Sequence, residues 1–416
     1  MKKKVEIMAP AGSFESLRAA LKAGADSVYF GVEQLNMRTK GANNFKTSEL
    51  KEIVKICRDF KAKSYLALNT ILYDEDLELM KKMCQQAKEA EVSAIIASDL
   101  AVIQYAHSLD LEVHISTQQN ISNIESVRFF AQYADVIVLA RELTLEQIGK
   151  IVRQIKKEKI KGPSGKLVQV EIFAHGALCM SVAGKCYMSL GIYNSSANRG
   201  ACLQNCRRSY LITDEETGDK LVIDNKYVLS PKDLCTIGFL DQIIEAGISI
   251  LKIEGRGRNT EYVFKTTKVY KEAAESVLSR KFTKAKVKKW IKELESVFNR
   301  GLWQGGYYLG KKLGEWSNSY GSQATNQKIF LGQVRGYTEE SSMAEILLET
   351  GTLSVGEKIM FTGPKIGIIE KTAESIFSKK GKRKKVTKGE LIQIPVGERV
   401  YEKDKFYKLV ERDEIN

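Results

Sequence analysis

Eight short apolar runs, separated by longer stretches of helical periodicity, constrain the fold of this chain more than any other feature. The runs occupy residues 5–9, 27–31, 64–69, 93–98, 112–117, 135–140, 168–174 and 248–254. Amphipathic stretches at 13–23, 47–60, 75–91, 124–133 and 144–160 lie between them, with apolar residues recurring at helical spacing. Strands that read as nearly continuous Val, Ile, Ala and Leu are buried on both faces, which calls for a parallel sheet covered by helices. Eight such units over about 250 residues fit a TIM-barrel-like (β/α)8 core, an α/β fold, with a doubly wound open sheet as the alternative.

At 416 residues the chain has room for two or three domains. Residues 1–280 read as the barrel. Residues 281–325 read as a helical and looped linker, with a Lys-dense helix at 280–298 and a Gly- and aromatic-rich loop at 299–308. Residues 326–416 change character: short β-like runs at 328–334, 343–348, 357–361, 390–394 and 406–410 predict a small antiparallel β-barrel. No apolar run approaches a membrane span, and the N-terminal residues lack the apolar region of a secretory signal, so a cytoplasmic protein is expected.

The formal charge of +14 and pI near 9.2 suit a polyanionic partner such as nucleic acid; a Lys-rich solvated surface is the other reading. The run 379–385, Lys-Lys-Gly-Lys-Arg-Lys-Lys, makes Lys382 and Arg383 candidate phosphate contacts on a hairpin, or else a solvated tip.

In a barrel the active site lies at the C-terminal ends of the strands. Those positions are polar here: Asn69, Gln118, Arg141, Glu171 with His175, and Lys252, Glu254 and Arg256. Because side chains alternate along a strand, the last three are expected on one face. Buried charges must pair with one another or meet a polar ligand.

Five of the seven cysteines fall between residues 171 and 235, interrupted by a polar excursion at 214–224. Cys179, Cys186, Cys202, Cys206 and Cys235 are too widely spaced for paired zinc knuckles, with Cys202/Cys206 alone resembling one. Thiolates gathered from separate loops suit an iron–sulfur cluster, with zinc or inert thiols as alternatives.

Glu171-x-Phe173-x2-Gly176-Ala-Leu-Cys179-x4-Gly184-x-Cys186-x-Met188-Ser189 resembles the signature of the peptidase U32 family. The resemblance extends to Ala9-Pro-Ala-Gly12, Arg38, Asn44-Phe45, Ser116-Thr-Gln118, Asn198-Arg-Gly-x-Cys202, Lys252-Ile-Glu-Gly-Arg256 and Asn299-Arg-Gly301. Among the branches, the chain is most similar to the bacterial tRNA hydroxylation proteins. That resemblance implies a 4Fe–4S cluster and C5 hydroxylation of the wobble uridine in tRNA anticodons, linked to prephenate; other branches act on ribosomal RNA or a quinone precursor. The implied ligands are Cys179, Cys186, Cys202 and Cys235, with Cys206 in reserve. Arg38, Arg141, Lys252 and Arg256 are candidates for an anionic co-substrate, since guanidinium forks suit carboxylates. Glu171, Lys252, Glu254 and Arg256 would form the reacting site, and His175 would shuttle protons. The peptidase reading meets no H-E-x-x-H or G-x-S-x-G, and just three histidines: His107, His114 and His175.

Overall fold

A computed structural model describes residues 5–41, 43–211, 213–218, 227–305, 307–310, 315–317, 319, 321–379 and 381–412. Its first sheet contains β1 (Glu6–Pro10), β2 (Ser27–Phe30), β3 (Lys63–Leu68), β4 (Ala94–Ala97), β5 (Val113–Ile115), β6 (Val136–Val138), β7 (Gln169–Gly176), β8 (Asp233–Cys235), β9 (Ile250–Ile253) and β10 (Leu302–Gln304). From β1 to β7 each strand pairs in parallel with the next. Strand β9 pairs in parallel with both β1 and β7, which closes an eight-stranded barrel and removes the open-sheet alternative. All eight apolar runs became barrel strands.

Two short strands were not foreseen. Strand β8 runs antiparallel to β7, with Cys235 opposite His175, and β10 extends that edge. Three residues each, they lack a periodic signal of their own.

The barrel interior holds Met8, Tyr29, Tyr65, Ala94, Ile96, Val136 and Ile250. Helices bury their apolar stripe against the outside. In the helix Phe14–Lys22, Ser13 caps the N-terminus by accepting from the Ser16 amide, Leu17, Ala20 and Leu21 face inward, and Gly24 at φ +88° lets the chain turn away. Burying each leucine stabilises the fold by roughly 1.5–3 kcal/mol.

The stretch expected as a linker is built into the barrel. Its helix Lys284–Glu295 places Trp290 and Leu294 in the main core, and Trp290 Nε1 donates to Glu272 at 3.2 Å. Part of it, residues 311–314, lies outside the described residues, as do 219–224 of the polar excursion. The excursion's described start is a turn in which Asp214 accepts from the Glu216 and Thr217 amides.

The C-terminal residues form an eight-stranded antiparallel sheet and a two-stranded companion. Strands from both ends of the sheet order contribute to one core, Ile369 and Ile376 among them, so the sheet curls on itself. This domain packs on the barrel: Met360 and Ile368 meet Ala19, and Gly367 lies so close to Arg18 and Ala19 that a Cβ would stand 2.8 Å from the Ala19 nitrogen. Ion pairs Lys22–Glu398 and Lys328–Glu261 border the contact. Among the described residues, no helix is long and apolar enough to cross a membrane.

Candidate active site

A cavity of about 540 Å³ opens at the C-terminal mouth of the barrel. Its floor is charged. Lys252 Nζ stands 2.8 Å from Glu171 Oε1, with the two side chains 6% and 0% exposed, and lies over the rings of Tyr29 at 4.6 Å and Phe173 at 5.6 Å. Beside it Arg38 pairs with Glu254 at 2.9 Å, and Tyr29 donates to the other Glu254 oxygen. Burial raises the Glu254 pKa, but Arg38 and Arg256 outweigh it and hold the carboxyl below its ordinary value. Glu254 in turn raises the Arg38 pKa against burial.

Lys252, Glu254 and Arg256 all line this cavity, but β9 ends at Ile253, so only Lys252 lies on the strand, and Gly255, Gly257 and Arg258 line the cavity beside them. Arg256 is buried, and its Nη1 has no hydrogen-bond partner among the described residues. Burial lowers its pKa to about 10, with Tyr29 and Glu254 opposing. Its guanidinium fits only against a glycine, for a Cβ on Gly31 would lie 2.2 Å from Nη1.

Asn69, Gln118 and Arg141 line the cavity too. Asn69 accepts from the Met37 amide, Gln118 from the Ser98 hydroxyl, and Arg141 lies over the Phe173 ring. Glu171 sits one layer deeper, beneath Lys252. His175 does not reach the cavity. It is buried with Nδ1 3.4 Å from the Tyr270 hydroxyl, and burial pushes its pKa down to about 4. A neutral imidazole walled in by tyrosines is badly placed for the shuttle role expected of it. Lys382 and Arg383 lie on the edge strand Gly381–Arg383 of the C-terminal sheet and do not line this cavity; Arg383 pairs with Glu390. Within the basic run, Lys380 lies outside the described residues.

The roof is the segment after β7. Gly176 starts it at φ +109°, where a Cβ would meet the Glu254 carbonyl at 2.5 Å. The segment is strapped to the barrel by several bonds. The Asn120 side chain donates to the Ala183 carbonyl, the Lys40 amide to Gly200, and the Ile71 amide to Asn198. Arg199 pairs with Asp76 while stacking on Tyr73 at 3.8 Å. Arg207 donates to the Ser230 hydroxyl and to the Pro231 and Leu178 carbonyls, tying both ends of the cysteine-rich region together.

These straps bring Cys179, Cys186, Cys202 and Cys206 to the one cavity. Burial pushes the Cys206 thiol up, Arg207 opposes, and Cys179, Cys202 and Cys186 act on it as electrostatic neighbours. Cys235, the expected fourth ligand, is elsewhere. Strand β8 turns it into the main core beside Tyr270, 0% exposed, with its thiol pushed up to about 11 by burial. Cys206 therefore stands where Cys235 was expected. The C-x3-C spacing carried that signal, and the antiparallel strand that buries Cys235 did not announce itself.

Four thiols lining one cavity are soft donors of the kind an iron–sulfur group takes. Among the described residues, no three His, Cys, Asp or Glu side chains converge as a single metal ion requires. Sequence reasoning also missed Tyr29, Phe173 and Arg258. Arg258 lines the same cavity and lies 3.6 Å over the Phe298 ring.

A closed (β/α)8 barrel with a charged, thiol-lined cavity at its C-terminal mouth defines the class of TIM-barrel enzymes. Residues 12–318 match Peptidase family U32, and the chain belongs to that family. It is 51% identical to a Porphyromonas gingivalis protein named "Collagenase" over 98% of this chain and 99% of that one. It is 30% identical to Bacillus subtilis "tRNA hydroxylation protein P1" over 91% of this chain and 88% of that one. It is 31% identical to Escherichia coli "23S rRNA 5-hydroxycytidine C2501 synthase" over 75% of this chain and 46% of that one.

Proposed function

We propose that this protein is an iron–sulfur-dependent RNA hydroxylase that converts the wobble uridine of tRNA to 5-hydroxyuridine. The observation that carries the reading is the placement of Cys179, Cys186, Cys202 and Cys206 on the cavity that also holds Lys252, Arg38, Glu254 and Arg256. Hydroxylated RNA in the names of two relatives supports the substrate class. These four thiols would hold the cluster, which would supply electron transfer or activation of an oxygen donor. The chain's own residues bind and orient. Arg256, buried without a hydrogen-bond partner at Nη1 among the described residues, suits the carboxylate of an anionic co-substrate such as prephenate. Tyr29 and Phe173 offer apolar faces beside Lys252. Nucleoside analysis of tRNA from cells with and without the protein tests the reading, and unaltered 5-hydroxyuridine would sink it.

The relative named for collagenase activity favours a peptidase as the second reading. A cysteine nucleophile needs a nearby base. No histidine is among the described residues lining the thiol-bearing cavity. Cleavage of collagen or peptides by protein free of iron would support the peptidase.

The basic strand yields its own expectation. Replacing Lys382 and Arg383 by Ala weakens tRNA binding and flattens its dependence on salt, by roughly 0.7 in log–log slope for each phosphate no longer neutralised. An unchanged slope would leave these residues the role of blunting a sheet edge, which lysines commonly do.

A further inference from the structure

Beneath the cavity, the barrel interior carries two ionisable groups, His114 and Glu112, that the hydroxylase reading does not use. Glu171 turns one oxygen to Lys252 and the other, Oε2, toward His114, 3.9 Å from Nδ1. Both Oε2 and Nδ1 are buried and have no hydrogen-bond partner among the described residues. On its far side, His114 Nε2 lies 3.0 Å from Glu112 Oε1. Glu112 directly precedes β5, so it marks the N-terminal end of the barrel, opposite the cavity, and its side chain is 41% exposed.

The tautomer of a neutral His114 ring follows from this geometry. A carboxylate at Glu112 accepts, so Nε2 carries the hydrogen and the neutral ring presents a bare lone pair at Nδ1. That lone pair faces a carboxylate oxygen. Two buried acceptors in opposition are unfavourable, because each has given up water and gained no donor in return. One proton or one water between them removes the conflict. The ring is held for this role: it packs on Tyr65 at 4.5 Å, and Tyr65 is fixed by its hydrogen bond to Glu6, itself paired with Lys63. The other charged group near this end is Lys166, which acts on Glu112 along with Lys63.

We propose that Lys252, Glu171, His114 and Glu112 form a proton relay through the barrel interior, connecting the cavity with solvent at the opposite end. In the outward direction the Lys252 ammonium breaks an N–H bond and Glu171 Oε1 gains the proton, leaving a neutral amine and a neutral carboxyl. The carboxyl turns about its Cγ–Cδ bond so that its new O–H faces His114, passes the proton to Nδ1, directly or across one water, and recovers its charge. The imidazolium releases its Nε2 proton to Glu112, which yields it to solvent. The Lys252 amine then takes a proton from the group bound in the cavity, and the ring resets by turning over, so that its N–H faces Glu112 and its bare nitrogen faces Glu171. One proton crosses and no electrons move. Glu112 and His114 touch nothing in the cavity, so they act through Lys252. The relay rests on the hydroxylase reading only for the identity of the group that gives up the proton.

Ring-nitrogen NMR of the full chain tests the coupling without substrate, and with three histidines the assignment is tractable. Glu171→Gln and Glu112→Gln are each expected to change the tautomer of His114 or to move its titration midpoint by about one pH unit. An identical tautomer and midpoint in all three proteins would overturn the relay. In turnover of tRNA, Glu112→Gln is expected to lower the rate at least about 10-fold at unchanged KM, with rescue by added imidazole. A wild-type rate, or a loss that imidazole does not restore, would overturn it as well. Should wild-type protein fail to hydroxylate tRNA, the proposed function falls while the NMR comparison still decides the relay.

Discussion

Anaerobically purified protein is expected to carry about four irons and as many labile sulfides per chain, to lose them in Cys206→Ser and to keep them in Cys235→Ser. The expectation follows from where each thiol lies. Cys206 shares the cavity wall with Cys179, Cys186 and Cys202. Cys235 is a core residue whose thiol is shielded by Tyr270 and the β7–β8 ladder. Serine at 206 removes one of the four thiols lining the cavity. Serine at 235 places a hydroxyl beside the Tyr270 hydroxyl and the Ile237 amide, at a modest cost in stability. Iron analysis and the visible absorption spectrum read the difference. Iron lost in Cys235→Ser alone would restore the ligand set implied by the family resemblance and contradict the structure.

The second large effect concerns the charged pair at the barrel floor. Lys252→Met leaves the Glu171 carboxylate 0% exposed without its cation, and removing one partner of a buried pair costs about 3–5 kcal/mol. Chemical denaturation should show that loss. Adding Glu171→Leu removes the stranded charge and should recover most of it, a coupling that a double-mutant cycle measures directly. Hydroxylation should stay absent in the more stable double variant, since the cavity has lost its ammonium. A cost below about 1 kcal/mol for Lys252→Met would mean that water or a proton already satisfies Glu171.

Much of this was legible in the residues because the barrel writes its strands as continuous apolar runs. The run at 135–140 becomes β6 and that at 248–254 becomes β9, each strand shorter than its run. Closure was not legible, because it depends on the pairing of β9 with β7 and β1 across large sequence separations. The C-terminal strands Met343–Leu348 and Leu391–Pro395 show apolar alternation, whereas Gly381–Arg383 is hidden in a basic run. Within the site, Lys252 could be placed by its strand, whereas Glu254 and Arg256 follow the strand's end and reach the cavity together with Gly255 and Gly257. Cys206 and Cys235 could not be told apart, since three residues of antiparallel strand decide which thiol faces the core. His175 misled for a similar reason: nearness in sequence to Cys179 says nothing of direction, and the ring points to Tyr270.

Whether this U32 protein hydroxylates tRNA through its thiol-lined cavity is tested most directly by mass spectrometry of nucleosides from purified tRNA. Cells that lack the protein are compared with cells resupplied with wild type, Cys206→Ser or Cys235→Ser. 5-Hydroxyuridine is expected to disappear without the protein, to return with wild type and Cys235→Ser, and to stay absent with Cys206→Ser. Persistence of 5-hydroxyuridine in the absence of the protein, or its full return with Cys206→Ser, would contradict the proposed function.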